Sequence, residues 1–98
     1  MSADIVFEND QVIVFKDILP KAPVHLLVIP KKHIESVTDL TEADSAMLGQ
    51  LILTAKEVAE KQGIAESGYK LIFNVGKHGG QVIKHLHIHM LGGKQLDQ

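Results

Sequence analysis

The sequence predicts an α+β domain: a five-stranded antiparallel sheet carrying one long helix on one face. Three observations lead there. Five short runs are rich in β-branched and apolar residues, one longer segment repeats its apolar positions with helical period, and the links between them are short. Short links leave no room for the crossovers a parallel sheet needs, so strands clustered on both sides of a single helix pair antiparallel. With 98 residues the chain fills one core, and a single domain spans 1–98.

Ile5-Val6-Phe7 and Val12-Ile13-Val14-Phe15 flank the polar Glu8-Asn9-Asp10 and read as a hairpin. Asp17 to Pro23 is a connector that contains Pro20 and closes on Pro23. The third strand, Val24 to Ile29, is almost continuously apolar, interrupted only by His25, and closes at Pro30. Leu40 to Gly63 is the helical segment. Asp39 with Glu42, or Thr41 with Asp44, supplies a capping-box start, and Gly63 the stop. Leu48, Leu51, Ile52, Ala55, Val58 and Ala59 follow helical steps and form the core stripe, while Met47 and Leu53 add apolar surface outside it, which suits a partner. Tyr69 to Val75 and Val82 to Leu91 complete the strands across the glycine-bearing loop Gly76-Lys77-His78-Gly79-Gly80. The order is β-β-β-α-β-β.

Composition narrows the function. Ten lysines, no arginine and twelve acids give a net charge of -2, which offers no broad basic surface to a nucleic-acid backbone. Any phosphate bound here must be held by lysine, histidine or backbone N–H groups. No cysteine is present, so disulfides and thiolate metal sites are excluded and a reducing compartment, the cytoplasm, is expected. No apolar run is long enough to span a membrane, and the first residues, MSADIVFEND, lack the basic-then-apolar order of a signal peptide.

Three of the six histidines stand at alternate positions of Lys84-His85-Leu86-His87-Ile88-His89-Met90-Leu91. In a strand, His85, His87 and His89 share one face while Leu86, Ile88 and Met90 share the other and enter the core. A lone histidine on such a face is ordinarily a tolerated polar residue; histidine's modest β preference does not explain three in register. One functional reading is a metal site. At about 3.4 Å per residue, His85 and His89 lie roughly 13 Å apart, so three rings in a row do not converge on one ion, although a pair with His25 could. The other reading is nucleophilic catalysis at phosphorus, in which a middle ring attacks through one nitrogen while an acceptor holds the proton on the other. Flanking rings can then bind oxyanion charge or protonate a leaving group.

The run from Asn74 to Gly93, NVGKHGGQVIKHLHIHMLGG, resembles the signature of the histidine triad superfamily, His-φ-His-φ-His-φ-φ with φ apolar, and of its Hint branch in particular. Phe15-Lys16-Asp17-Ile18 and Ala22 to Ile34 are similar to the same branch upstream, so the resemblance covers nearly the whole chain in order and spacing. It implies a homodimeric hydrolase of purine nucleoside 5′-phosphoramidates, such as adenosine monophosphate joined to an amine, working without metal or cofactor. It further implies that His87 is the nucleophile, forming a nucleotidyl-histidine that water breaks. His89 contacts the phosphate or passes a proton to the departing amine, and His85 with His25 orients and tunes the ring. The resemblance puts Asn74, Gly80, Gln81 and Val82 near the phosphate, makes Asp17 the acid that accepts the ribose hydroxyls, and puts Ile18 and Phe7 by the base. The dimer would pair through the helix and the strand Tyr69 to Val75, making one continuous sheet.

His33 matches a histidine in many Hint proteins and reads either as a solvated loop residue or as an extension of a proton path. His78 receives no role. Where Hint proteins usually carry a serine after the Gly-Gln pair, this chain has Val82, and it begins at the first hairpin and stops soon after Gly93. Slower turnover is the expectation from Val82, and the short ends leave base and amine selectivity open. Two other readings use the same pocket: a nucleotide-binding or interaction module with negligible turnover, and a hydrolase of dinucleoside polyphosphates.

Overall fold

Alternating side chains sort the sheet into two faces. A computed structural model of the chain describes residues 4–97, so Met1, Ser2, Ala3 and Gln98 of the expected 1–98 domain, the first three of them in the MSADIVFEND start, lie outside the described residues. The strands are β1 (Ile5–Glu8), β2 (Val12–Lys16), β3 (Val24–Pro30), β4 (Tyr69–Ile72) and β5 (Ile88–Gly92), and the helix α1 (Ser45–Lys61) falls between β3 and β4. All pairs are antiparallel in the order β1-β2-β3-β5-β4. On one face Val12, Val14, Leu26, Val28, Ile88 and Met90 are buried with Leu51, Ala55, Val58 and Ala59 of α1. Burying this many aliphatic side chains, at about 1.5–3 kcal/mol each, is what holds the helix on the sheet. The opposite face of β3 and β5 carries His25, Leu27, His89 and Leu91, in the registers His25↔Leu91 and Leu27↔His89.

The β1–β2 hairpin turns where Asn9 accepts two backbone hydrogen bonds on Oδ1, from Gln11 at 2.9 Å and Val12 at 2.8 Å. The helix is shorter than the pattern from Leu40 predicts. Residues Val37–Asp39 and Glu42–Asp44 form separate 3₁₀ turns, because Leu40 and Thr41 between them are extended. Of the two possible start signals, Thr41 with Asp44 is the one formed: Asp44 Oδ2 accepts the Thr41 N–H at 3.0 Å, and Oδ1 accepts Lys32 Nζ at 2.8 Å. Gly63 ends the segment as expected, at φ 74°, a conformation that costs a residue with a Cβ.

Two core assignments change. Ile52 lies 43% exposed and Thr54 takes a buried place instead, because the buried positions Leu51, Thr54, Ala55, Val58 and Ala59 step by three and four and leave Ile52 one residue, about 100°, off the stripe. Met47, expected outside, packs against the core, while Leu53 is 60% exposed as expected.

The last two strands are also shorter than the runs Tyr69 to Val75 and Val82 to Leu91. The β3–β5 ladder ends at Val28↔Ile88, because the chain before Ile88 bonds elsewhere. The Leu86 N–H donates to the Ile34 carbonyl at 2.6 Å, Pro30 has no N–H to give, and its carbonyl accepts the His85 ring at 2.8 Å. Leu86 is buried all the same, so Leu86, Ile88 and Met90 all enter the core as expected.

Candidate active site

His25 on β3 and His89 on β5 are diagonal cross-strand neighbours on the sheet face away from α1, and their rings meet with His25 Nε2 3.0 Å from His89 Nδ1. His87 sits just before β5, its ring 5.0 Å from that of His89 between centroids. These three rings line a cavity of about 510 Å³. Asp17, Lys21, Asn74, Gly80 and Val82 also border it, with an apolar wall from Leu27, Ile72 and Leu91. A larger hollow, about 720 Å³, lies between the chain after α1 and the C-terminal tail and contains no histidine, so the titratable chemistry sits in the smaller one.

Backbone groups decide which nitrogen of each ring carries hydrogen. The carbonyl of His85 lies 2.7 Å from His87 Nδ1; a carbonyl only accepts, so His87 Nδ1 holds the hydrogen and Nε2 keeps its lone pair. At His25 the logic is reversed. The Lys21 N–H donates to His25 Nδ1 at 3.0 Å, so the neutral ring carries its hydrogen on Nε2 and donates it to His89 Nδ1. His89 then has its own hydrogen on Nε2. The site thus offers one free imidazole lone pair, on His87, beside one N–H donor, on His89.

Burial favours the neutral form of His25 and His89. Burial holds His25 below the ordinary imidazole pKa, with Asp17 opposing and Lys21 adding to the effect. His89 is likewise lowered, first by burial and then by the neighbouring His87 and His25 rings and Lys21, again against Asp17. The Asp17 carboxylate accepts the Leu19 N–H on Oδ1 at 2.8 Å and lies 3.3 Å from His25 Nε2 on Oδ2.

Among the described residues, Asp17, His25 and His89 form a group whose donor atoms converge within 4.8 Å of one another. A ring that binds an ion through Nε2 keeps its hydrogen on Nδ1. In His25 that atom receives the Lys21 N–H, so this donor set suits hydrogen bonding rather than an ion.

The structure brings seven of the expected site residues to the cavity wall: Asp17, His25, Asn74, Gly80, Val82, His87 and His89. It puts others elsewhere. The His85 ring turns away, donating from Nε2 to Pro30 and meeting His33 Nδ1 with its own Nδ1 at 3.3 Å. His33 is therefore not a merely solvated loop residue. Gln81 braces the loop: its Oε1 accepts the Gly76 N–H at 3.0 Å, and its Nε2 donates to the Glu35 carbonyl at 2.7 Å. Asn74 Nδ2 donates to the Gly79 carbonyl at 2.8 Å, and Gly80 turns the loop at φ 77°. Ile18 is exposed and off the wall, and Phe7 packs on the core with Lys61 Nζ 5.1 Å from its ring centroid. The neighbour Leu19 reaches the cavity where Ile18 does not.

Sequence reasoning missed Leu19, Lys21, Leu27, Ile72, Ile83 and Leu91 on the wall. For Leu27 and Leu91 the signal was present, since each stands two residues along a strand from a site histidine and so shares its face. Lys21 falls in a connector, and nothing in its neighbours marks a backbone N–H aimed at a ring.

The family model described as HIT domain matches residues 1–96. The purine nucleoside phosphoramidase of Escherichia coli (strain K12) is 47% identical over 94 residues, covering 96% of this chain and 79% of that protein. An uncharacterized HIT-like protein of Synechococcus elongatus is 49% identical over 94 residues, covering 96% and 82%. Among solved structures, a HIT family hydrolase from Legionella pneumophila Philadelphia 1 superposes with a TM-score of 0.97 at 45% identity, over 99% of this chain and 87% of that one. A histidine triad protein from Clostridium difficile follows at 0.96 and 37%, over 100% and 85%.

Proposed function

The chain belongs to the HIT domain family and is a hydrolase of that family; from that premise we propose that it cleaves the P–N bond of purine nucleoside 5′-phosphoramidates through a covalent nucleotidyl-histidine. The observation that carries the reading is His87: its Nδ1 hydrogen is held by the His85 carbonyl at 2.7 Å, which leaves the Nε2 lone pair for a ligand in the cavity. Two relatives bear on it as well, the Escherichia coli protein named a purine nucleoside phosphoramidase and the Legionella pneumophila HIT family hydrolase.

In the first half-reaction His87 Nε2 bonds to phosphorus as the P–N bond breaks. The departing nitrogen keeps the electron pair and takes a proton from solvent. In the second, a water oxygen bonds to phosphorus and gives up a proton to solvent, the His87 Nε2–P bond breaks with its electron pair returning to the ring, and the nucleoside monophosphate leaves. His89, neutral and holding its hydrogen on Nε2, donates to a phosphoryl oxygen as charge develops there. With one hydrogen on each ring, the His25–His89 pair has no spare proton to deliver, which favours phosphate contact over general acid catalysis for His89. Gly80 and Val82 bring loop backbone to the phosphate, Asn74 braces that loop, Lys21 supplies a cation in place of arginine, and Asp17 accepts the ribose hydroxyls. The apolar wall of Leu27, Ile72 and Leu91 takes flat apolar surface such as the purine.

Hydrolysis of an adenosine 5′-phosphoramidate, followed with wild type and His87→Ala, tests the reading. Wild type should release adenosine monophosphate and, when quenched during turnover, carry an adenylyl group on His87 by mass spectrometry. Turnover in the variant at the wild-type rate would remove His87 from the mechanism. Val82, 88% exposed at the cavity rim where a serine is usual, favours a second reading, a binding module with little turnover. Tight adenosine monophosphate binding without cleavage of any phosphoramidate would support that one, and side-by-side assay of a dinucleoside polyphosphate separates the remaining hydrolase.

The working form in this proposal is a homodimer in the cytoplasm. Ile52 and Leu53 on α1 and Leu71 on β4 are exposed, and β4 closes the sheet with an unpaired edge among the described residues. No helix among those residues is long and apolar enough to cross a membrane. A monomeric mass at micromolar concentration would count against the dimer.

A further inference from the structure

We propose that Asp17 is a positioning residue that couples the sugar of the substrate to the His89 donor, by competing with His89 for the single hydrogen on His25 Nε2. The inference rests on the nucleotide reading above. Four distances carry it. The Lys21 N–H occupies His25 Nδ1 at 3.0 Å, so the neutral ring has one hydrogen, on Nε2. His89 Nδ1 is hydrogen-bonded to that nitrogen at 3.0 Å, and the Asp17 Oδ2 carboxylate oxygen stands beside it, 3.3 Å from the same His25 Nε2. The other carboxylate oxygen, Asp17 Oδ1, is already turned to the Leu19 N–H at 2.8 Å.

A carboxylate has more lone pairs than these contacts use, and Asp17 borders the cavity, so hydroxyl groups in the cavity can donate to it. Each hydroxyl bond drains acceptor strength from Oδ2. The His25 hydrogen then goes wholly to His89 Nδ1. Accepting a stronger bond on Nδ1 polarises the ring and makes its Nε2–H the better donor, as in any chain of hydrogen bonds in a poorly solvated site. Vicinal hydroxyls are thus felt at the phosphoryl oxygen with no movement of the sheet. A carboxylate that bound the sugar equally in ground and transition states would change affinity alone, whereas this arrangement also changes the rate of the chemical step.

The experiment compares the phosphoramidate of adenosine with that of 2′,3′-dideoxyadenosine, joined to the same amine, in wild type and Asp17→Asn. Wild type should lose about tenfold in kcat without the hydroxyls, beyond any change in KM, and in Asp17→Asn the two substrates should converge to about the same kcat. A second measurement needs neither turnover nor a variant: adenosine, but not 2′,3′-dideoxyadenosine, should move the ring ¹⁵N resonances of His25 and His89 in wild type. A hydroxyl effect confined to KM, or ring resonances unmoved by adenosine, overturns the coupling while leaving phosphoramidate hydrolysis intact. Absence of hydrolysis and of a His87 adduct, with the adenosine-specific ring shifts present, would instead sink the proposed reaction and keep the coupling.

Discussion

The alternating histidines before and within β5 join one histidine of β3 and one just after it in two clusters of imidazoles with different work. The inner cluster, His25, His87 and His89, rings a cavity, and burial favours the neutral form of His25 and His89. The other cluster, His33 and His85, lies at the Pro30 end of β3, where His85 gives its Nε2 hydrogen to a carbonyl and meets His33 at 3.3 Å. His85 and His87 are two residues apart and chemically identical, yet one offers a lone pair to a ligand and the other braces backbone. What separates them is which backbone group each ring meets. His85 serves His87 through its own carbonyl, at 2.7 Å, and not through its imidazole.

Substitutions can break this contrast, beginning with the strongest. His87→Ala should lower kcat on an adenosine phosphoramidate by about 10⁴-fold or more while circular dichroism stays close to wild type, because strand packing rests on Leu86, Ile88 and Met90; the buried ring and its bond to the His85 carbonyl are lost, so melting temperature should fall. His25→Ala frees His89 to take either tautomer and should cost roughly 10²-fold in kcat with KM little changed. His85→Ala keeps the backbone carbonyl that orients His87. It should cost only about tenfold, together with about 1 kcal/mol of stability from the lost bond to Pro30, read by denaturant unfolding.

The pH response sharpens the same comparison. His25 and His89 have folded pKa values below the 6.5 of a free imidazole, so below that pH the unfolded chain takes up protons that the folded site refuses. Their contribution to stability is therefore complete above pH 6.5 and is lost as pH falls through the folded values. Melting temperature should drop between pH 7.5 and 5.5, and the drop should shrink in His25→Ala. An unchanged slope in that variant would place the sensitivity elsewhere. The smallest effect is expected at the exposed His33: His33→Ala should stay within about twofold of wild-type activity. A loss as large as that of His85→Ala would instead make the two rings one functional unit.

Much of this could be read from the chain. The hairpin, the third strand, the Gly63 stop and the alternation of Leu86, Ile88 and Met90 with three histidines follow from local rules of period and turn chemistry, because each involves residues a few positions apart. The two 3₁₀ turns before α1 were not legible. Thr41 with Asp44 reads as the start of a helix, yet the turn they cap closes as 3₁₀, with Lys32, 12 positions back, bonding the same carboxylate. The early end of the β3–β5 ladder was hidden for a like reason, since it turns on where the Pro30 and Ile34 carbonyls find donors.

The sequence by itself determined which residue types line the site: a run of alternating imidazoles on a strand with a buried opposite face, a glycine loop before it, and an acid and a histidine upstream. Only the tertiary structure decided which nitrogen of each ring is free. A neutral imidazole has one hydrogen and two places to keep it, and the choice belongs to the partner it meets. Here those partners are the Lys21 N–H and the carbonyls of His85 and Pro30, backbone groups common to every residue. The Lys21 and Pro30 groups reach their rings only because the chain folds them there.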